Sequence, residues 1–173
     1  MSQTNTETSI DQLCPNCGLC CDSTLFADVE LRATDDEKQL KKLGITLFKK
    51  GKTKRAFAQP CPCFDGRLCK IYADRPKRCG LFECGLLKRV AAHEMTAAAA
   101  LKKITTAKKQ AERIRTLLRT LGQQDESMAL THRYGEAMSS SIDLSEDNVA
   151  EAHGQLMLAV NELMQGLQRD FLQ

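Results

Sequence analysis

From Leu86 onward the chain carries a helical rhythm. Val90, Ala97, Leu101, Ile104, Ala111, Ile114, Leu118 and Leu121 recur at three- and four-residue steps or their multiples, with Ala, Lys and Arg filling most of the rest. This stripe predicts one long amphipathic helix that stops at Gly122. About 35 residues at a rise of 1.5 Å would make it roughly 50 Å long. A second stripe, Val149, Ala152, Leu156, Val160, Leu163, Leu167 and Phe171, predicts a last helix starting at Ser145. Leu144 and Val149 stand at the positions of a hydrophobic staple, and Glu146 and Asp147 suit the positive N-terminal end. Between the two, residues 123–142 read as loop with one short helix around Met128 to Met138. Two such helices joined by a loop bury their stripes by packing antiparallel.

The first half has shorter patterns. Leu25 to Glu30 alternates in part and reads as a short strand. Thr34 with Glu37 makes a capping box, which predicts a helix from Asp35 to Leu43 ended by Gly44. Ile45 to Phe48 reads as a strand, Lys49 to Lys52 as a turn, and Arg55 to Ala58 as the returning strand of a β-hairpin. Beyond it, Pro60, Pro62 and Asp65-Gly66 mark turns, and Pro76 opens a helical turn. Ile71 and Tyr72 are expected to plug into the small core beside this turn-rich stretch. With so little regular structure, something besides a core must hold it.

Cysteine supplies that something. Cys14, Cys17, Cys20 and Cys21 fall within eight residues, and Cys61, Cys63, Cys69, Cys79 and Cys84 follow; these are all nine in the chain. The odd count and the adjacent Cys20-Cys21 pair argue against a disulfide framework. The polar start of the chain, Met1 to Asp11, has neither the basic nor the apolar region of a secretory signal. It reads as a disordered lead-in to a cytoplasmic protein, where clustered cysteine means metal or redox chemistry. No apolar run approaches the roughly 18 residues of a membrane span.

The Cys-x-x-Cys steps 14/17 and 17/20 let thiolates converge on one ion, with Gly18 permitting the tight turn between them. Three of these sulfurs and one from the second group would complete a tetrahedral site. Cys21 could then join Cys61, Cys69, Cys79 or Cys84 in another. Eight thiolates suffice for two zinc ions, and equally for an iron–sulfur cluster plus further ligands. The spacing does not choose. Arg67, Lys70, Arg75, Lys77 and Arg78 interleave with the ligands and can offset thiolate charge.

The run Cys14-x-x-Cys17-Gly18-x-Cys20-Cys21, followed by Cys61-Pro62, Gly66-x-x-Cys69-x-Ile71-Tyr72, Arg75-Pro76, Cys79 and Cys84, resembles the CxxCxxCC, or YkgJ-like, cysteine-cluster family, described as a zinc- or iron-chelating domain. The resemblance covers residues 14–84. It implies eight ligand-type cysteines: Cys14, Cys17, Cys20, Cys21, Cys61, Cys69, Cys79 and Cys84. Cys63 departs from the family pattern, which has an apolar residue there, and reads as a spare thiol, a substitute ligand or a resolving cysteine.

Charge is uneven along the chain. Residues 86–125 carry 9 Lys and Arg against 3 Asp and Glu, and residues 126–173 carry 2 against 8. The basic face (Lys88, Arg89, Lys102, Lys103, Lys108, Lys109, Arg113, Arg115, Arg119) could meet nucleic acid. A neighbouring acidic helix is the simpler partner, and no aromatic residues interleave to stack bases. His93, His132 and His153 read as surface histidines. No ordered Ser/His/Asp set, phosphate-binding glycine loop or paired carboxylates point to an enzyme.

The expectation is therefore a mainly α protein in three parts: a lead-in over 1–11, an irregular α+β metal-bound cysteine head over 12–85, and an antiparallel helical hairpin over 86–173. The expected function is metal binding without catalysis, the alternatives being an iron–sulfur redox or metal-handling accessory enzyme and nucleic-acid binding. The hairpin is the surface expected to meet a protein partner.

Overall fold

The computed structural model describes residues 13–140 and 147–173. The expected lead-in over 1–11 and the start of the last helix, with its staple, lie outside the described residues. Residues 13–17 are helical (α1) and carry Cys14 and Cys17. A three-stranded antiparallel sheet follows, built from β1 (Asp28–Glu30), β2 (Leu47–Lys50) and β3 (Lys54–Ala58) in the order β1-β3-β2. The predicted hairpin is present, with Gly51 in its turn at φ +66°. Phe57 is paired with Val29 on one side and Leu47 on the other. It sits in a small core with Val29, Leu40, Ile45 and Cys63.

Leu40 comes from α2 (Glu37–Lys42), where the structure corrects the expected cap. Asp36, not Thr34, is the N-cap, accepting from the Gln39 N–H at 2.9 Å. Asp35 is drawn elsewhere: its carboxylate accepts from the backbone N–H groups of Arg32 and Lys77, tying this turn to α3 (Lys77–Leu81).

The long helix expected from Leu86 is two helices, α4 (Gly85–Ala91) and α5 (Ala97–Thr120). The break has a local cause. His93 adopts φ +59°, its N–H donates to Val90 O, and the Glu94 N–H donates to Arg89 O. This is the double bond pattern of a Schellman stop, with His in the place that Gly normally takes. Thr96 then caps α5 by accepting from the Ala99 N–H at 3.2 Å. At 24 residues, α5 is roughly 36 Å long.

α6 (Leu130–Ser139) and α7 (Asp147–Asp170) complete the chain. α5 and α7 run antiparallel, since Lys103 meets Asp170 at one end and Gln110 meets Glu162 further along. Their stripes close a larger core that includes Ile104, Ile114, Leu118, Leu156, Leu163 and Leu167. Leu13 and Leu19, flanking the first cysteine pair, and Leu86 and Val90 of α4 belong to the same core. The cysteine segment thus packs directly on the helices.

The charge pairing differs from a simple basic-against-acidic face. Arg115 holds Asp22 at 3.1 Å in the cysteine segment, while Arg119 bridges Glu112 and Glu126. Lys102, Lys109 and Arg113 remain exposed. His93 and His132 are exposed as expected, but His153 is buried. Among the described residues, no helix is long and apolar enough to cross a membrane.

Candidate metal centre

The first cysteine loop is shaped by Gly18. At φ +74° it turns the chain so that its carbonyl accepts from both the Cys21 and Asp22 N–H groups, at 2.8 and 3.0 Å. An L-side chain pays a steric penalty at this φ, and here a methyl group would also lie 2.5 Å from Cζ of Phe64. Glycine therefore serves twice: it makes the turn and it admits the ring. Past the turn, Asp22 Oδ1 accepts from the Thr24 N–H, and Arg115 reaches in from α5 to Asp22 O and Thr24 Oγ1, both at 3.1 Å. Ser23 Oγ accepts from the Leu130 N–H of α6.

The second group is built onto the first through the backbone. The Cys61 N–H donates to Cys21 O at 2.8 Å. The Asp65 carboxylate accepts from the Arg67 and Leu68 N–H groups, closing the Gly66 turn, and a bridge pairs Phe64 with Cys69. Cys79 lies on α3. Cys84 is the N-cap residue of α4, without a side-chain cap bond. Ile71 packs against the small core as expected, but Tyr72 does not: it is 43% exposed, with the Arg75 guanidinium 3.7 Å above its ring.

All nine cysteines are free thiols. Burial pushes the Cys17 and Cys61 thiols up to about 12 and Cys79 to about 11. The Cys20, Cys21 and Cys84 thiols are also raised, burial again being the main cause. Neighbouring sulfurs add to these shifts and reveal who is close to whom. Cys17 is influenced by Cys84 and Cys14, and Cys20 by Cys17, Cys21, Cys14 and Cys84. Cys21 is influenced by Cys69, Cys61, Cys79 and Cys14, and Cys61 by Cys63, Cys69 and Cys79. Cys17 and Cys84 thus lie nearest the first cysteine run, and Cys61, Cys69 and Cys79 lie around Cys21, while Cys14 acts on both neighbourhoods through Cys17 and Cys20 on one side and Cys21 and Cys79 on the other. Among the described residues, no three His, Cys, Asp or Glu side chains are already arranged to hold a metal ion.

The donor set fits a thiophilic cation nonetheless. Crowded, buried thiols resist ionisation, and a cation that draws them together as thiolates offsets both the burial and the mutual repulsion. Arg75 assists, since its charge lowers the Cys79 thiol against the effect of burial. Cys63 neighbours Cys61 and Cys69 but has a different setting. It is 4% exposed in the small core, its Sγ donates to Leu43 O, and burial raises its thiol. That is the setting of a small core residue rather than of an activated nucleophile.

Spacing gave no sign of Phe64 against Gly18, of Arg115, expected only as part of a basic face, anchoring Asp22, or of the Gly85 N–H donating to Phe171 O at 2.9 Å. Each acts across a long separation, and only Phe64, in a turn between two cysteines, offered a local hint.

Residues 13–98 match a family model, CxxCxxCC, described as "Putative zinc- or iron-chelating domain". No curated protein and no solved structure matches the chain.

Proposed function

The chain belongs to the CxxCxxCC family of zinc- or iron-chelating domains through residues 13–98, and on that premise we propose that it is a non-enzymatic metal-chelating protein with two adjoining four-sulfur sites. Cys14, Cys17, Cys20 and Cys84 form the first, and Cys21, Cys61, Cys69 and Cys79 the second. The observation that carries this reading is the crowding of the thiols, with Cys17 and Cys20 closest to Cys14 and Cys84, and Cys21 closest to Cys69, Cys61 and Cys79; Cys14, which acts on both groups, is assigned to the first through its Cys-x-x-Cys step to Cys17. Four thiolates are the preferred shell of zinc, and they equally suit iron.

A bound cation supplies positive charge and a fixed junction between segments that share little regular structure. The chain's own residues do the rest. Gly18 shapes the first loop, Arg115 anchors its exit, Arg75 offsets thiolate charge, and the Cys61–Cys21 backbone bond sets the two sites side by side. A reducing, cytoplasmic setting suits nine free thiols.

The second reading is an iron–sulfur cluster in the first set, giving the protein an electron-transfer or iron-handling role. Its motivation is the Cys14-x-x-Cys17-x-x-Cys20 run, a spacing shared with cluster ligands. Metal and acid-labile sulfide analysis, with a visible spectrum, on protein purified without oxygen tests both. Zinc or iron without sulfide supports the first reading, and iron with sulfide and colour the second. Protein that carries neither metal and takes up neither on reconstitution overturns both.

A further inference from the structure

A cavity of about 550 Å³ opens beside the cysteine centre, and its size and walls go beyond what ion binding needs. A bare ion occupies less than a water molecule's share of about 30 Å³. The cysteines make one wall. The rest is largely aromatic and aliphatic: Phe26 and Phe82 meet edge to face at 5.1 Å, and Val29, Phe64 and Leu68 continue the surface. Small-molecule sites have this volume and this mixture of apolar wall and few polar groups.

The polar groups are specific. Gln59 lines the cavity, is 2% exposed, and its Oε1 is buried without a hydrogen-bond partner. A buried amide oxygen left unpaired is costly, so it marks a position where a donor belongs. Arg67 and Arg75 also line the cavity, and among the described residues neither makes an ion pair with a carboxylate. The two carboxylates on the wall are already committed: Asp28 to Lys50 at 2.6 Å, and Glu30 to Lys54 at 2.9 Å and Arg78 at 3.4 Å. Arg75 donates its Nε–H to Tyr72 O at 2.8 Å and stacks on that ring, so its charge is held in place without a carboxylate partner; with Arg67 and the unpaired Gln59 oxygen it calls for a ligand with a donor, an apolar body and an anionic end.

We propose that this cavity binds a small carboxylate with an apolar body and a neighbouring hydroxyl or amino donor, the donor meeting Gln59 and the carboxylate meeting Arg67 and Arg75. The site goes beyond metal chelation and does not depend on which metal the thiols hold. Bound there, such a ligand would lie against the sulfur wall.

Calorimetric titration of the full chain, purified with its metal, with three probes tests the assignment. 3-Phenyllactate carries all three features, 3-phenylpropionate lacks the donor, and 2-phenylethanol lacks the carboxylate. Phenyllactate is expected to bind about tenfold more tightly than either relative, the loss of one well-made charged or buried hydrogen bond. Arg67→Gln, at an exposed position, should remove the preference for phenyllactate over phenylethanol. Gln59→Leu should remove the preference over phenylpropionate. No binding, equal binding of the three probes, or preferences untouched by Arg67→Gln overturns the proposal. Metal content measured on the same samples separates the two readings: full metal without probe binding defeats this site alone, and selective probe binding without metal defeats only the chelating function.

Discussion

The backbone N–H of Gly85, one residue past Cys84, donates to the carbonyl of Phe171 at 2.9 Å. The end of the last helix is thereby clamped to the start of α4, where Cys84 stands as N-cap. The clamp leaves no room for a side chain: a methyl group on Gly85 would lie 2.8 Å from Asp170 O and 3.2 Å from Gln173 O. Both are backbone atoms, so a helix must move.

Gly85→Ala should therefore cost about 1–3 kcal/mol, the usual penalty of overpacking, and loosen metal held through Cys84. Gly135→Ala and Gly154→Ala are the controls, with open space around both. As helix-interior changes they should add up to about 1 kcal/mol each. Thermal unfolding and metal retention against a chelator check the contrast.

Asp170, beside that clamp, gives a pH dependence. Burial raises its carboxyl, but hydrogen bonds from Arg169, Lys103 and Arg89 outweigh burial and hold it at about 2. A carboxylate lowered in the folded state stabilises above its unfolded value near 3.8 and loses that contribution as pH falls towards 2. The loss should amount to about 2 kcal/mol. Asp170→Asn should flatten the stability profile between these limits, as chemical denaturation at stepped pH would show; an unchanged slope would refute the assignment.

Gly18 and Phe64 should be coupled. Gly18→Ala forces an L-residue into the left-handed region at about 1–2 kcal/mol and drives a methyl into the Phe64 ring. Phe64→Ala removes the ring, so the double variant should be less destabilised than the two single losses together. A double-mutant cycle of unfolding free energies measures this; strict additivity would mean that the ring and the turn are independent.

Cys63 separates packing from ligation. Cys63→Ala should lower stability by about 1 kcal/mol, typical of a small buried change, and leave the metal content at its full value. A proportionate loss of metal would make Cys63 a ligand.

The sequence was most informative where one period ran long. The α5 and α7 stripes repeat over many turns, so each helix and their antiparallel packing could be read from spacing alone. The break at 92–96 could not, because Ala97–Ala100 favours helix and no Gly or Pro interrupts the run. The signal was Thr96 ahead of the alanines and a His taking a glycine's conformation. At α2 two caps competed within three residues. Asp36 prevailed while Asp35 was claimed by Lys77, 42 residues away. The clustering of the cysteines was legible, but not which of them lie next to which. Cys61 is set beside Cys21 by a backbone hydrogen bond and Cys84 lies next to a glycine clamped to the far end of the chain, and neither contact leaves a trace in spacing.

The central claim is the division of eight thiols into two sets, and the most direct measurement is metal content per chain in Cys17→Ser and Cys79→Ser beside the unaltered protein, all purified without oxygen. Each substitution removes a ligand from one set only. The account predicts that each variant keeps the metal of the other set, while the double variant keeps none. Full metal in either single variant, or complete loss in both, would contradict it.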